Sequence, residues 1–176
     1  MAENLTEEQQ KQKGRTICEM TQNDIEALSD LKISVVLEAH SPEDTFLLGR
    51  KLGEASRPGM VVALDGDLGT GKTVFAKGFA AGLGVKETVS SPTFTILQVY
   101  EEGRLPLYHF DVYRIEDIEE MEEIGYEDCF YGSGVCLIEW ADLICDILPK
   151  RCLRIVLEKE PDRGFDYRRI RVCSYS

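Results

Sequence analysis

The run Gly66-Asp67-Leu68-Gly69-Thr70-Gly71-Lys72-Thr73 satisfies G-x-x-x-x-G-K-[ST] in full and restricts the fold more than any other stretch of the chain. Before it lies Met60-Val61-Val62-Ala63-Leu64, a short apolar run that reads as a buried strand. After it, Phe75, Phe79 and Leu83 recur every fourth residue, which sets one apolar helical face over residues 74–83. Strand, glycine loop and helix, in that order, form the context in which this pattern cradles phosphates.

The chemistry accounts for the residue types. Gly66, Gly69 and Gly71 carry no Cβ, so the backbone takes unusual dihedrals and approaches an anion closely. The backbone of Asp67, Leu68, Gly69, Thr70, Gly71, Lys72, Thr73 and Val74 then turns its N–H groups toward the phosphates. The helix dipole adds about half a positive charge at that end. Lys72 is suited to contact the β- and γ-phosphates, and the Thr73 hydroxyl to ligate Mg2+. A nucleoside triphosphate with Mg2+ is the expected ligand pair.

At 176 residues the chain reads as one domain, preceded by an extension. Residues 1–31 are polar, with few large apolar side chains before Ile25, and predict a mobile or loosely helical extension. Residues 32–176 form the nucleotide-loop domain. No apolar run approaches the roughly 18 residues of a membrane span. Residues 1–13 lack a secretory pattern, so no membrane partner and a cytoplasmic location are expected. The net charge of −12 repels phosphate backbones and argues against DNA or autonomous RNA binding. It is uneven: residues 150–176 hold eight Lys/Arg against four Asp/Glu, and residues 116–128 hold eight Asp/Glu and no Lys/Arg. A basic end suits RNA or an acidic partner; solvated strand faces are the plainer reading. The six cysteines include no C-x-x-C pair, and both histidines lie far from any such pair, so a zinc site is not expected.

Ile33-Ser34-Val35-Val36-Leu37 predicts the first strand. Ser41, Pro42, Glu43 and Asp44 read as the start of a helix reaching Ala55, with Ser41 as N-cap. Residues 94–100 and 105–111 predict a hairpin across Glu101-Glu102-Gly103-Arg104. Ile115, Ile118, Met121 and Ile124 suggest one helix with an acidic outer face. Residues 135–138, 153–157 and 167–172 complete the strands. The sum is an α/β P-loop NTPase fold: a mixed, mainly parallel central sheet flanked by helices, with a β-hairpin insertion.

Two acids close apolar strands, Asp111 after Leu107-Tyr108-His109-Phe110 and Glu139 after Val135-Cys136-Leu137-Ile138. Open α/β sheets bind ligands at the carboxyl ends of strands. One acid is available to hold Mg2+ and the other to orient an attacking water. His109 alternates with Tyr108 and Phe110 and reads as a buried structural histidine, with catalysis as the alternative. Arg114 suits either the acidic helix or a phosphate. The guanine signature N-K-x-D and a D-x-x-G segment are absent, which favours ATP by elimination.

The phosphate loop, then Ser91-Pro92-Thr93-Phe94, Tyr108-His109-Phe110-Asp111-Val112-Tyr113-Arg114 and Leu137-Ile138-Glu139-Trp140, together resemble the bacterial TsaE (YjeE) family over about residues 33–160. The resemblance implies an ATPase of tRNA threonylcarbamoyladenosine synthesis that works with the proteins TsaB and TsaD and meets tRNA through them. It implies ATP and Mg2+ as cofactors, with Lys72 and Thr73 on the triphosphate and metal. It also makes Asp111 the metal-linked acid and Glu139 the second essential acid, catalytic and near the metal. Thr93 corresponds to a switch-like position that senses the γ-phosphate, with a strand-start hydroxyl as the alternative. Trp140 corresponds to a tryptophan beside the nucleotide, with a core anchor as the alternative. A nucleotide-gated binding module without turnover of its own, or a small-molecule kinase, are the competing functional readings.

Overall fold

Every residue of β3 (Val61–Asp65) is buried, and its apolar run through Leu64 suits a strand covered on both faces. The computed structural model describes residues 14–30 and 34–174. Its other strands are β1 (Arg15–Thr16), β2 (Val35–Ala39), β4 (Leu97–Tyr100), β5 (Leu107–Asp111), β6 (Val135–Glu139), β7 (Leu153–Lys159) and β8 (Arg168–Ser174). They form one sheet in the order β1-β2-β8-β7-β3-β6-β5-β4. β3 is parallel to both neighbours, and β5 is parallel to β6. The β4–β5 hairpin lies antiparallel at one edge, and β8 runs antiparallel to both β7 and β2. The sheet is mixed and the strands around the glycine loop are parallel, as the sequence predicts.

Side chains alternate across β3. Val62 and Leu64 join the core under α1 (Gln22–Ser29), α2 (Pro42–Ala55) and α3 (Lys72–Leu83). Val61 and Ala63 face α4 (Glu119–Glu123), α5 (Tyr126–Phe130) and the 3-10 segment Ala141–Ile147 on the other side. Phe75 and Phe79, fully buried on α3, stack with centroids 6.2 Å apart and anchor the loop helix to the sheet. Burial of each stabilises by about 1.5–3 kcal/mol.

The helix over 42–55 starts as expected: the Ser41 hydroxyl accepts from the Asp44 N–H, with Pro42 in the first turn. α2 and α3 then touch backbone to backbone. A Cβ at Gly49 would stand 2.3 Å from the Phe75 carbonyl oxygen, and one at Gly53 2.2 Å from that of Phe79. In return, a Cβ on Gly78 would meet Phe46 O at 2.1 Å, and one on Gly82 Arg50 O at 2.1 Å. Four glycines therefore set this contact, which the apolar periodicity alone did not suggest.

Several expectations change in detail. The hairpin strands begin at Leu97 and Leu107 rather than at residues 94 and 105. β2 begins at Val35, two residues later than read, and Ile33 lies outside the described residues. The acidic helix is two short helices, because Gly125 takes a left-handed φ of 71° and ends the first. Of the expected extension, residues 1–13 and Leu31 lie outside the described set. Residues 14–30 are docked: Ile17, Met20, Ile25 and Leu28 are buried in the main core. The basic end is also largely engaged within the fold. Arg163 meets Glu38, Arg169 meets Glu160 and Arg171 meets Glu158. Among the described residues no helix is long and apolar enough to cross a membrane.

Candidate functional site

The loop between β3 and α3 bends at glycines that alone tolerate its dihedrals. Gly69 has φ 73° and Gly71 φ 106°, a region that costs other L-residues about 1–2 kcal/mol. Cations from the β7–β8 side hold the loop's outer carbonyls. Lys159 donates to Leu68 O at 2.9 Å, and Arg168 donates to Thr70 O at 2.7 Å and Gly69 O at 3.3 Å. Carbonyls tied outward leave the N–H groups of the peptide planes for the cleft.

Lys72, the first residue of α3, folds back over the loop. Its ammonium donates to Gly66 O at 2.5 Å and Asp67 O at 3.0 Å and lies 3.7 Å from the Trp140 ring centroid. Burial pushes this ammonium below its usual value, while the carboxylates of Glu139 and Asp111 hold it up.

The parallel pairing of β5 with β6 sets Asp111 opposite Glu139. Alternation puts Leu107, His109 and Asp111 on one face of β5, and Val135, Leu137 and Glu139 on one face of β6. Leu107, Val135 and Leu137 belong to the core beneath α3, so both acids emerge on the side of the loop helix. Asp111 is 2% exposed and its Oδ2 accepts from the hydroxyls of Ser91 and, at 2.7 Å, Thr93. Its Oδ1 accepts from the Tyr113 N–H at 3.1 Å. Glu139, also 2% exposed, has Oε1 2.8 Å from His109 Nε2.

Trp140 follows Glu139 in a left-handed conformation, φ 63°, unusual for a bulky residue. The turn is fixed by Trp140 N–H donating to Leu64 O at 3.0 Å. It lays the indole over Lys72 and 4.8 Å, centroid to centroid, from the Tyr113 ring.

These groups surround one cleft of about 560 Å³. Leu68, Gly69, Gly71, Lys72, Thr73, Val74, Thr93, Asp111, Glu139 and Trp140 all line it. Asp67 and Thr70, expected with them, do not. Asp67 lines a second cleft of about 710 Å³ on the other side of the loop, which Trp140 also borders. The buried Thr70 hydroxyl donates to Asp67 O at 2.9 Å and so shapes the loop. Three residues of the site were not singled out for it: Ser91, Tyr113 and, as the partner of Glu139, His109. Ser91 and Tyr113 sit two residues from Thr93 and Asp111, and same-face spacing in extended chain was the signal available for both. The Arg114 guanidinium stacks 4.4 Å from the Phe94 ring centroid.

The donor set suits Mg2+. Thr73, Asp111 and Glu139 offer a hydroxyl and two carboxylates, and Mg2+ commonly takes one or two carboxylates plus phosphate oxygens and water. Among the described residues no three His, Cys, Asp or Glu are grouped to cage a metal, so such an ion would depend on phosphate oxygens.

A family model described as threonylcarbamoyl adenosine biosynthesis protein TsaE matches residues 39–170. The tRNA threonylcarbamoyladenosine biosynthesis protein TsaE of Bacillus subtilis is 51% identical over 122 residues, covering 69% of this chain and 76% of that one. Its namesake in Treponema pallidum is 47% identical over 119 residues, covering 68% and 87%. The crystal structure of Bacillus subtilis YdiB matches with a TM-score of 0.70 at 40% identity, over 82% of this chain and 87% of that chain.

Proposed function

The chain belongs to the TsaE family of tRNA threonylcarbamoyladenosine biosynthesis, and from that premise we propose that it is a Mg2+-dependent ATPase whose turnover serves TsaB and TsaD. The observation that carries the reading is the level pairing of Asp111 with Glu139 on the face that also holds Lys72. A triphosphate-hydrolysing site needs a cation, a metal-linked acid and a water-orienting acid within one cleft.

ATP with Mg2+ would supply the phosphoanhydride and a divalent charge. The chain's own residues do the rest. Lys72 exchanges its two carbonyl partners for phosphate oxygens, and the loop N–H groups bind the remaining anionic charge. Thr73 and Asp111 would hold the metal. Glu139 orients the attacking water and takes up its proton. Trp140 and Tyr113 form an aromatic wall that limits solvent access beside the reacting centre.

The test is ATP hydrolysis by the purified chain, alone and with TsaB and TsaD added. Strong stimulation by the partners is the expected result. Absence of hydrolysis in both conditions would sink the reading. Glu139→Ala should bind ATP nearly as the parent does and lose most turnover, whereas Asp111→Ala should lose the Mg2+-dependent activity.

One observation favours a second role alongside the first. Ser91 and Thr93 hang from Asp111 by their hydroxyls, so a ligand that takes Asp111 competes for the atom that holds the segment around Pro92. Nucleotide would then change the surface around Phe94, which is 83% exposed, and thereby gate a partner. Equal partner affinity with ATP, ADP and no nucleotide would rule this gating out.

A further inference from the structure

The mechanism above leaves one polar side chain of the site without a task. His109 is wholly buried between the sheet and the helices, two residues before Asp111 on the same face of β5. A buried imidazole among apolar residues is costly unless both nitrogens are bonded. Here only Nε2 is, to Glu139 Oε1 at 2.8 Å, and Nδ1 has no partner. A cationic ring would bury an unpaired Nδ1–H beside apolar side chains. A neutral ring with its proton on Nδ1 would do the same, and would also set a lone pair against the carboxylate. The neutral Nε2–H form leaves only an acceptor unmet and gives Glu139 a donor.

We propose that His109 is the positioning residue of Glu139: its Nε2–H donates to Oε1 from within the core and leaves Oε2 as the oxygen free to meet water in the cleft. The bond ties the side chain at the end of β6 to a ring fixed in the neighbouring strand. A glutamate has three rotatable side-chain bonds, and without an anchor it would sample orientations that do not face the phosphates. Lys72, whose ammonium the Glu139 charge supports, is the competing partner once that anchor is removed.

The inference rests on the hydrolase reading, and the experiment separates the two. His109→Leu removes the donor, and His109→Gln returns an N–H near the place of Nε2. The measurements are ATP affinity, partner-stimulated kcat and thermal stability of each variant. His109→Leu should lower kcat about 10- to 100-fold, the range typical of groups that orient a functional side chain. ATP affinity should stay within about threefold, since the lost interaction acts on the transition state. His109→Gln should recover most of kcat. Wild-type kcat in His109→Leu overturns the proposal. So does failure of His109→Gln to recover kcat while melting like the parent. A parent protein that hydrolyses no ATP with partners overturns the hydrolase reading instead. The pair is then decided by nitrogen-15 NMR of labelled histidine: an Nε2–H resonance that shifts in Glu139→Gln supports the anchor, and an Nδ1–H ring overturns it.

Discussion

Lys72 meets two carbonyl oxygens and an indole ring, and a triphosphate has to take it from the first two. Charge-assisted hydrogen bonds of this kind contribute about 1.5–3 kcal/mol each. Lys72→Ala should therefore weaken ATP binding by roughly 10- to 100-fold, at about 1.4 kcal/mol per decade. Trp140, the only tryptophan, reports it directly: titration with ATP should change indole emission in the parent and much less in the variant. An unchanged affinity would refute this role for the lysine. The loop, the strand-end acids and Trp140 were legible in the sequence because each is marked by the residues next to it in the chain. The bond from His109 to Glu139 was not. It joins residues 30 apart, and only the parallel register of β5 and β6 brings them together. The stacking of Arg114 on Phe94 was not legible either, since it is set by the path of a loop rather than by spacing.

At the level of elements, the contact of α2 with α3 has the narrowest tolerance. Gly78→Ala gains up to about 1 kcal/mol of helix propensity. It also drives a methyl into the Phe46 carbonyl, and overpacking costs about 1–3 kcal/mol or more. The net should be destabilising, with the melting temperature lower by roughly 2–10 °C. A neutral or higher value in thermal unfolding would mean the helices separate more easily than the backbone contact implies. The docked segment offers a second test. Thr21 caps α1 in a box with Asp24, and Arg15 holds the Asp24 carboxyl well below the usual carboxylate range, with Thr21 adding to the effect. A carboxyl lowered on folding contributes stability above its unfolded value, near 4, and loses it as the pH falls further. Hydrogen exchange in residues 15–29 should thus speed up selectively between about pH 4 and pH 2, beyond its intrinsic pH dependence. No extra acceleration in that window would count against the Asp24 anchor. That segment reads poorly in the sequence because its apolar residues are few. The T-x-x-D box at Thr21 was the signal available. Likewise Gly125, directly after the series Ile115, Ile118, Met121 and Ile124, gives the break that splits the acidic helix.

For the whole molecule, the six thiols form a probe of how tightly the two cores close. Cys18 and Cys145 are exposed, whereas Cys129, Cys136 and Cys152 are buried. Burial pushes the Cys152 thiol up to about 12 and that of Cys136 higher still. Alkylation at pH 8 should therefore modify Cys18 and Cys145 first and leave Cys136 and Cys152 until the chain unfolds. A thiol raised on folding favours the native state below its unfolded value, about 8.5, and that support fades as the pH rises beyond it. Stability should accordingly decline above about pH 8.5, and a denaturation series from pH 7 to 10 would show a flat profile if these thiols were not sealed.

The glycine contact between α2 and α3 has a mechanical consequence as well. With four backbone-to-backbone seats, the helix that carries Lys72 and Thr73 behaves as an anvil. The opposite side of the cleft is hung differently, from two hydroxyls on a single carboxylate oxygen. If nucleotide gates a partner as proposed above, the stroke would be one-sided: the anvil would stay in place and the jaw bearing Thr93 and Phe94 would swing.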